Sequence, residues 1–180
     1  MTEIADRFNT LAADFDARVQ GTTDWSAISP CEGWTAKDVA VHVTNNLAGL
    51  VAAANGQAPT PITADDDVPA AWAQAHTELS AVLNDPAKSA ITIPSPFGPM
   101  PLEQMVGRIM CADVLVHTWD LARATGQDET LNAEGVEGTY SGLKPMDAMI
   151  RQPGIFGPKI DAPEGADAQT QLLCFLGRAV

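Results

Sequence analysis

Asp113 and His117 are the residues whose types and spacing point most directly to chemistry. They stand four apart in the most apolar helix-like run of the chain, 110–125, so on a helix their side chains share one face. Val106, Met110, Leu121 and Ala124 lie within about 60° of that face at about 100° per residue, so the carboxylate and the imidazole point toward the core. Burying such groups is costly unless they are hydrogen-bonded, paired or bound to a metal. A second helix, expected over 35–54, turns Val39, Val43, Leu47, Leu50 and Val51 inward, and His42 and Asn46 lie on intermediate steps of that stripe. Antiparallel helices in a bundle can bring such side chains together. Two imidazoles and one carboxylate suffice for a catalytic zinc with water in the remaining position, and the same set serves non-haem Fe(II). Two other accounts stand beside this one: a metal-free network in which His117 donates to Asp113 or Asp120, and acid–base chemistry by a His–Asp pair.

Neighbouring residues divide into supporting and structural roles. Asp120 is about 60° from the His117 direction and suits the orienting of an imidazole from behind. Cys111 is about 120° away and packs on another side, as neither ligand nor nucleophile. His76 falls on the apolar stripe of a third helix with Trp72, Ala75, Leu79 and Leu83, but without a polar companion there it reads as structural. Arg123 reads as one half of a surface salt bridge, with contact to an anionic group of a substrate as the alternative.

The elements that must position these groups follow from periodicity and punctuation. Phe8, Leu11, Ala12, Phe15 and Val19 mark a first amphipathic helix over 2–20, stopped by Gly21. A loop with Trp25 and Trp34 leads to Thr35, which suits the N-cap of the second helix with Asp38 reaching back. The third helix lies between Pro69 and Pro86, after a solvated Asp65-Asp66-Asp67. Residues 90–101 make a short hairpin or ordered loop, since their prolines exclude a central strand. The fourth helix is expected over 102–125 as one uninterrupted element, closed by Gly126. Beyond it, 132–143 is a glycine-weakened helix, Pro145 and Pro153 break the next section, 156–160 is a packed loop, and 167–176 is a final short helix. The fold class is therefore mainly α: a single domain with a four-helix core over 1–126 and a small helical extension, 127–180, packed on it.

Composition bounds the partners. With 180 residues, 46% hydrophobic and 18% charged, the chain is an ordinary globular protein with a substantial core. A formal net charge of −13 argues against nucleic-acid backbones and anionic membrane surfaces as partners. Cys31, Cys111 and Cys174 are scattered and odd in number, and no signal-peptide pattern or membrane-length apolar run is present, so a reduced cytoplasm is the expected setting.

Two stretches carry a family resemblance. Pro30-Cys-Glu-Gly-Trp-Thr35, with Asp38 and His42-Val43, resembles the loop and second helix of the mycothiol-dependent maleylpyruvate isomerase N-terminal domain. Val116-His-Thr-Trp-Asp-Leu-Ala-Arg-Ala-Thr-Gly126 resembles the fourth-helix motif of the same group, part of the DinB-like superfamily of metal-binding bundles. The resemblance implies a DinB-like four-helix bundle that holds a divalent metal, usually zinc, with Ni or Fe as variants. His42 matches the first ligand, Asp113 the acidic position and His117 the last; Asn46 and Asp120 are placed behind them by their helix faces. The isomerase has Glu at the acidic position and relatives often have His, so Asp113 departs from both. Mycothiol or another low-molecular-weight thiol, a small electrophilic substrate and pairing into homodimers are the implied partners. A second domain helps complete the isomerase's active site, whereas here only the 127–180 extension follows the bundle.

Overall fold

The computed structural model describes residues 2–95, 98–151 and 156–180. Among the described residues the chain is mainly α-helical and forms two compact units, Met1–Glu129 and Thr130–Val180.

The first unit is a four-helix bundle of α1 (Glu3–Gly21), α2 (Ala36–Ala54), α3 (Val68–Leu83) and α4 (Cys111–Thr125). Each of α1 and α2 packs against both α3 and α4, so the order around the bundle is α1–α3–α2–α4. The α1–α2 connection therefore crosses the bundle diagonally, and α2 lies beside α4. Phe8, Phe15, Leu47, Trp72, Leu79, Leu115, Trp119 and Leu121 are fully or almost fully buried and form the centre of this core. Apolar burial of this kind is the main favourable term in folding.

Local chemistry sets the helix ends. Thr2 caps α1, and Thr35 with Asp38 forms a complete capping box on α2, each side chain bonded to the other's backbone. Asp67 caps α3, and Asp66 accepts from Thr63, so the acidic run is turn and cap chemistry. Gly21 is the last residue of α1 rather than its stop, and Thr22 follows as C-cap. A side chain at Gly21 would meet the amide of Gln127, which donates to the Arg18 carbonyl. Glycine is there for close approach. Gly126 closes α4 in the left-handed region at φ 68°.

The fourth helix is less regular than its apolar pattern implies. A short α-turn, Leu102–Met105, runs into a π-helical turn, Val106–Met110, before α4 begins. Within that turn Arg7 of α1 donates to the Gly107 carbonyl at 2.7 Å, where any larger residue would press on Arg7 and Ile4. Close packing of α1 accompanies the widened turn, and apolar periodicity carries no sign of it. Ahead of it, β1 (Thr92–Ile93) pairs antiparallel with β2 (Met100–Pro101), a two-residue ladder that includes Pro101 at its end.

The second unit holds α5 (Ala133–Leu143), capped by Asn132, and α6 (Ala168–Phe175), capped by Asp167. These pack together, with Tyr140 edge-on to Phe175 and Leu172, Leu173 and Leu176 buried. Arg151 ties Asp147 to the carbonyls of Gly157 and Phe175. Pro153, expected to break the chain, lies outside the described residues.

Candidate metal centre

The neighbouring positions of α2 and α4 bring His42, Asn46, Asp113 and His117 to one place. Asp113 Oδ1 lies 3.5 Å from His42 Nε2 and 3.5 Å from His117 Nε2. Nitrogen and oxygen ligands of a tetrahedral zinc sit about 2.0–2.2 Å from the ion, which puts them about 3.3–3.6 Å from one another. The three donor atoms all fall within 4.8 Å of each other, so they fit a divalent cation at the point where they converge. The side chains are graded in exposure, 36% for His42, 19% for Asp113 and 9% for His117, which places the open side of the cluster at His42.

The ring orientations are fixed from behind and from the side. Asp120, wholly buried, accepts from His117 Nδ1 at 2.9 Å, leaving Nε2 to face Asp113. This is the carboxylate–histidine arrangement that sets tautomer and raises basicity in metal sites. The Asn46 amide donates to Asp113 Oδ2 at 3.1 Å and stands 3.1 Å from His42 Nε2. With the amide as donor, His42 Nε2 is an acceptor, the form that a metal also requires.

Charge follows geometry. Burial alone would push Asp113 up, but the adjoining His117 charge and the contacts of His42 and Asn46 outweigh it and hold the carboxyl below its usual range. Burial would likewise push His117 down, yet the Asp113 charge and the contacts of Asp120 and Cys31 raise it to about 10. A cation and a proton therefore compete for His117.

Two contributors come from the diagonal connection. Trp34 packs its ring 5.0 Å from that of His42 and 6.0 Å from that of His117. Cys31 Sγ lies 3.3 Å from Asp120 Oδ2. Sequence reasoning assigned neither residue a place at the site. Their proximity to the α2 capping box was the available signal, because a loop leading into α2 must lie at the end of the bundle nearest His42.

The remaining histidine is elsewhere. His76 stacks on Trp72 at 5.6 Å, meets Phe8 edge-on and contacts Asn9, and burial lowers its pKa. Its polar companion comes from α1, not from its own stripe. Cys111 is buried and its thiol is pushed up by that burial. Arg123 bonds Glu129 at 2.8 Å and covers the Trp119 ring.

The comparisons with known proteins agree with this architecture. Two proteins of Mycobacterium tuberculosis, "Uncharacterized protein MT0763" of strain CDC 1551 / Oshkosh and "Uncharacterized protein Rv0738" of strain H37Rv, are each 32% identical over 160 residues. That similarity covers 84% of this chain and 84% of each relative. No solved structure matches the chain. The family model of the mycothiol maleylpyruvate isomerase N-terminal domain matches residues 8–122, a span that contains all of α2 and α3 and most of α1 and α4. With His42, Asp113 and His117 all inside that span, the chain belongs to the mycothiol maleylpyruvate isomerase N-terminal domain family.

Proposed function

We propose that the chain binds a divalent metal, zinc foremost with Ni or Fe as alternatives, through His42, Asp113 and His117, and that it is an enzyme acting on a small electrophile. The observation that carries this reading is the 3.5 Å spacing of Asp113 Oδ1 from both Nε2 atoms, with Asp120 locking the His117 ring behind. A bound metal supplies Lewis acidity, lowering the pKa of a thiol or water so that a nucleophile exists at neutral pH. Membership of a family named for mycothiol supports a low-molecular-weight thiol of that type as the activated group, for transfer or isomerisation.

The protein's own residues supply the rest. Asp120 holds the Nδ1 proton of His117 and so keeps Nε2 directed at the site. Trp34 stacks near the His117 ring and meets that of His42 at a tilt, giving the two imidazoles an apolar wall on one side. Asn46 steadies the second oxygen of Asp113, leaving Oδ1 for the convergence point. The partial exposure of His42 leaves a way in for a small molecule.

A second reading, a non-catalytic metal- or small-ligand-binding bundle, rests on the Asn46 amide. It contacts His42 Nε2 and Asp113 Oδ2 at once, a hydrogen-bonded closure that calls for no turnover to explain it. Elemental analysis of untagged protein, beside His42→Ala and His117→Ala, tests the shared premise. Wild type loaded with metal and variants depleted is the expected result; equal, negligible metal in all three sinks it. A thiol–electrophile conjugation assay on the loaded protein then separates the two, with metal-dependent turnover expected for the enzyme and none for the binder.

A further inference from the structure

The loop between α1 and α2 delivers Cys31 to the back of the candidate centre. Its Sγ lies 3.3 Å from Asp120 Oδ2, the same oxygen that accepts from His117 Nδ1 at 2.9 Å. Cys31, His117 and Asp120 also form a donor cluster close enough to be read as ligands of an ion. The same contacts form a hydrogen-bonded chain. One carboxylate oxygen, Asp120 Oδ2, receives two protons, one from the thiol and one from the imidazole. The thiol fixes the carboxylate that fixes the ring, and it also contacts the His117 ring itself.

The loop is built to hold that sulfur still. Cys31 donates its backbone N–H to Ser29 Oγ at 3.2 Å, and its carbonyl accepts from Trp34 N at 3.0 Å. Ser29 N–H donates to the Trp34 carbonyl at 3.0 Å, and Ile28 pairs with Thr35 in an isolated bridge just before α2. Asp120 is wholly buried, and a carboxylate in that setting depends on each donor it has. Cys31 is half-buried, whereas Cys111 and Cys174 are buried.

We propose that Cys31 is a positioning residue of the metal centre: its thiol donates to Asp120 Oδ2 and so fixes the orientation of the His117 imidazole. This rests on the metal reading above for its effect on affinity, but not for its effect on the ring. Removing an outer hydrogen-bonding partner of a metal ligand costs about 10–100-fold in affinity, and one bond further out the expected loss is about tenfold.

The test uses the full chain with Cys31→Ala, Cys31→Ser and Cys31→Val. Zinc affinity is measured by competition with a chromophoric chelator. The Nδ1 proton of His117 is followed by NMR in the metal-free protein. Serine retains a donor and valine only fills the space. The expected result is a sharp downfield proton in wild type and Cys31→Ser, lost to solvent exchange in Cys31→Ala and Cys31→Val, with zinc weakened about tenfold in the last two. If Cys31→Val retains the wild-type resonance, the sulfur is packing and the proposal is overturned. If no protein binds zinc, the metal reading fails, and the resonance alone decides the role of Cys31.

Discussion

His42 Nε2 and Asp113 Oδ1 face one another at 3.5 Å across the α2–α4 contact. Neither residue's own helix requires the other, so the meeting is a property of bundle order. Replacing either partner should therefore remove metal without unfolding the bundle. His42→Ala and Asp113→Ala are expected to lower zinc affinity at least about tenfold, with the helical circular dichroism spectrum retained. Asp113→Glu, which supplies the acid of the resembled isomerase, should retain metal; loss of zinc there would show that the short arm of aspartate is required.

The raised pKa of His117 gives the site a direction in pH. In metal-free protein the imidazole holds its proton to about 10, so binding a cation must displace it. Apparent zinc affinity should rise with pH up to that value, with proton release seen as a buffer-dependent heat in titration calorimetry. An affinity flat between pH 6 and about 9 would contradict the linkage.

Stability of the metal-free protein carries the opposite sign at high pH. The folded pKa of His117 is above its unfolded value of 6.5, so its contribution is complete below 6.5 and lost as pH rises through about 10. Asp113 is depressed below 3.8, so its contribution is present above that value and lost as pH falls through the lowered one. Thermal unfolding across pH should show highest stability between these limits, and His117→Gln should flatten the alkaline side.

His76 serves as the control histidine. Its ring lies on Trp72 and Phe8 and contacts Asn9, so His76→Ala should leave zinc content unchanged while lowering stability. Trp72 is fully buried beneath it, and Trp72→Ala should cost about 3–5 kcal/mol in denaturant unfolding.

The capping box links the loop to α2. Thr35→Ala removes the acceptor for Asp38 N–H and a donor to the Asp38 carboxylate, and should cost about 1 kcal/mol. Because Trp34 is adjacent, its fluorescence should become more quenchable in the same variant.

What was legible in the sequence was whatever repeats or punctuates. Helical stripes gave the four bundle helices, and Thr35 with Asp38 gave the start of α2 nearly to the residue. The gathering of His42, Asn46, Asp113 and His117 followed from placing polar groups on two inward faces. Hidden were the features that arise only between segments. Cys31 acts on a residue of α4 through a loop, and no periodicity announces such a contact. The π-helical turn is met at the Gly107 carbonyl by Arg7 of another helix, and its residues spell an ordinary apolar helix.

That turn is also a phase adjuster. Each α-helical residue rotates the chain by about 100°, so a widened turn offsets the face presented before Val106 from the face presented after Met110. Leu102, fully buried, keeps its own packing on one side of the offset, while Asp113 and His117 are aimed independently on the other. Deleting a single residue from Val106–Met110 would restore a regular helix and rotate one half against the other. The aim of Asp113 and His117 is thus set in part by the length of a segment that contributes neither of them.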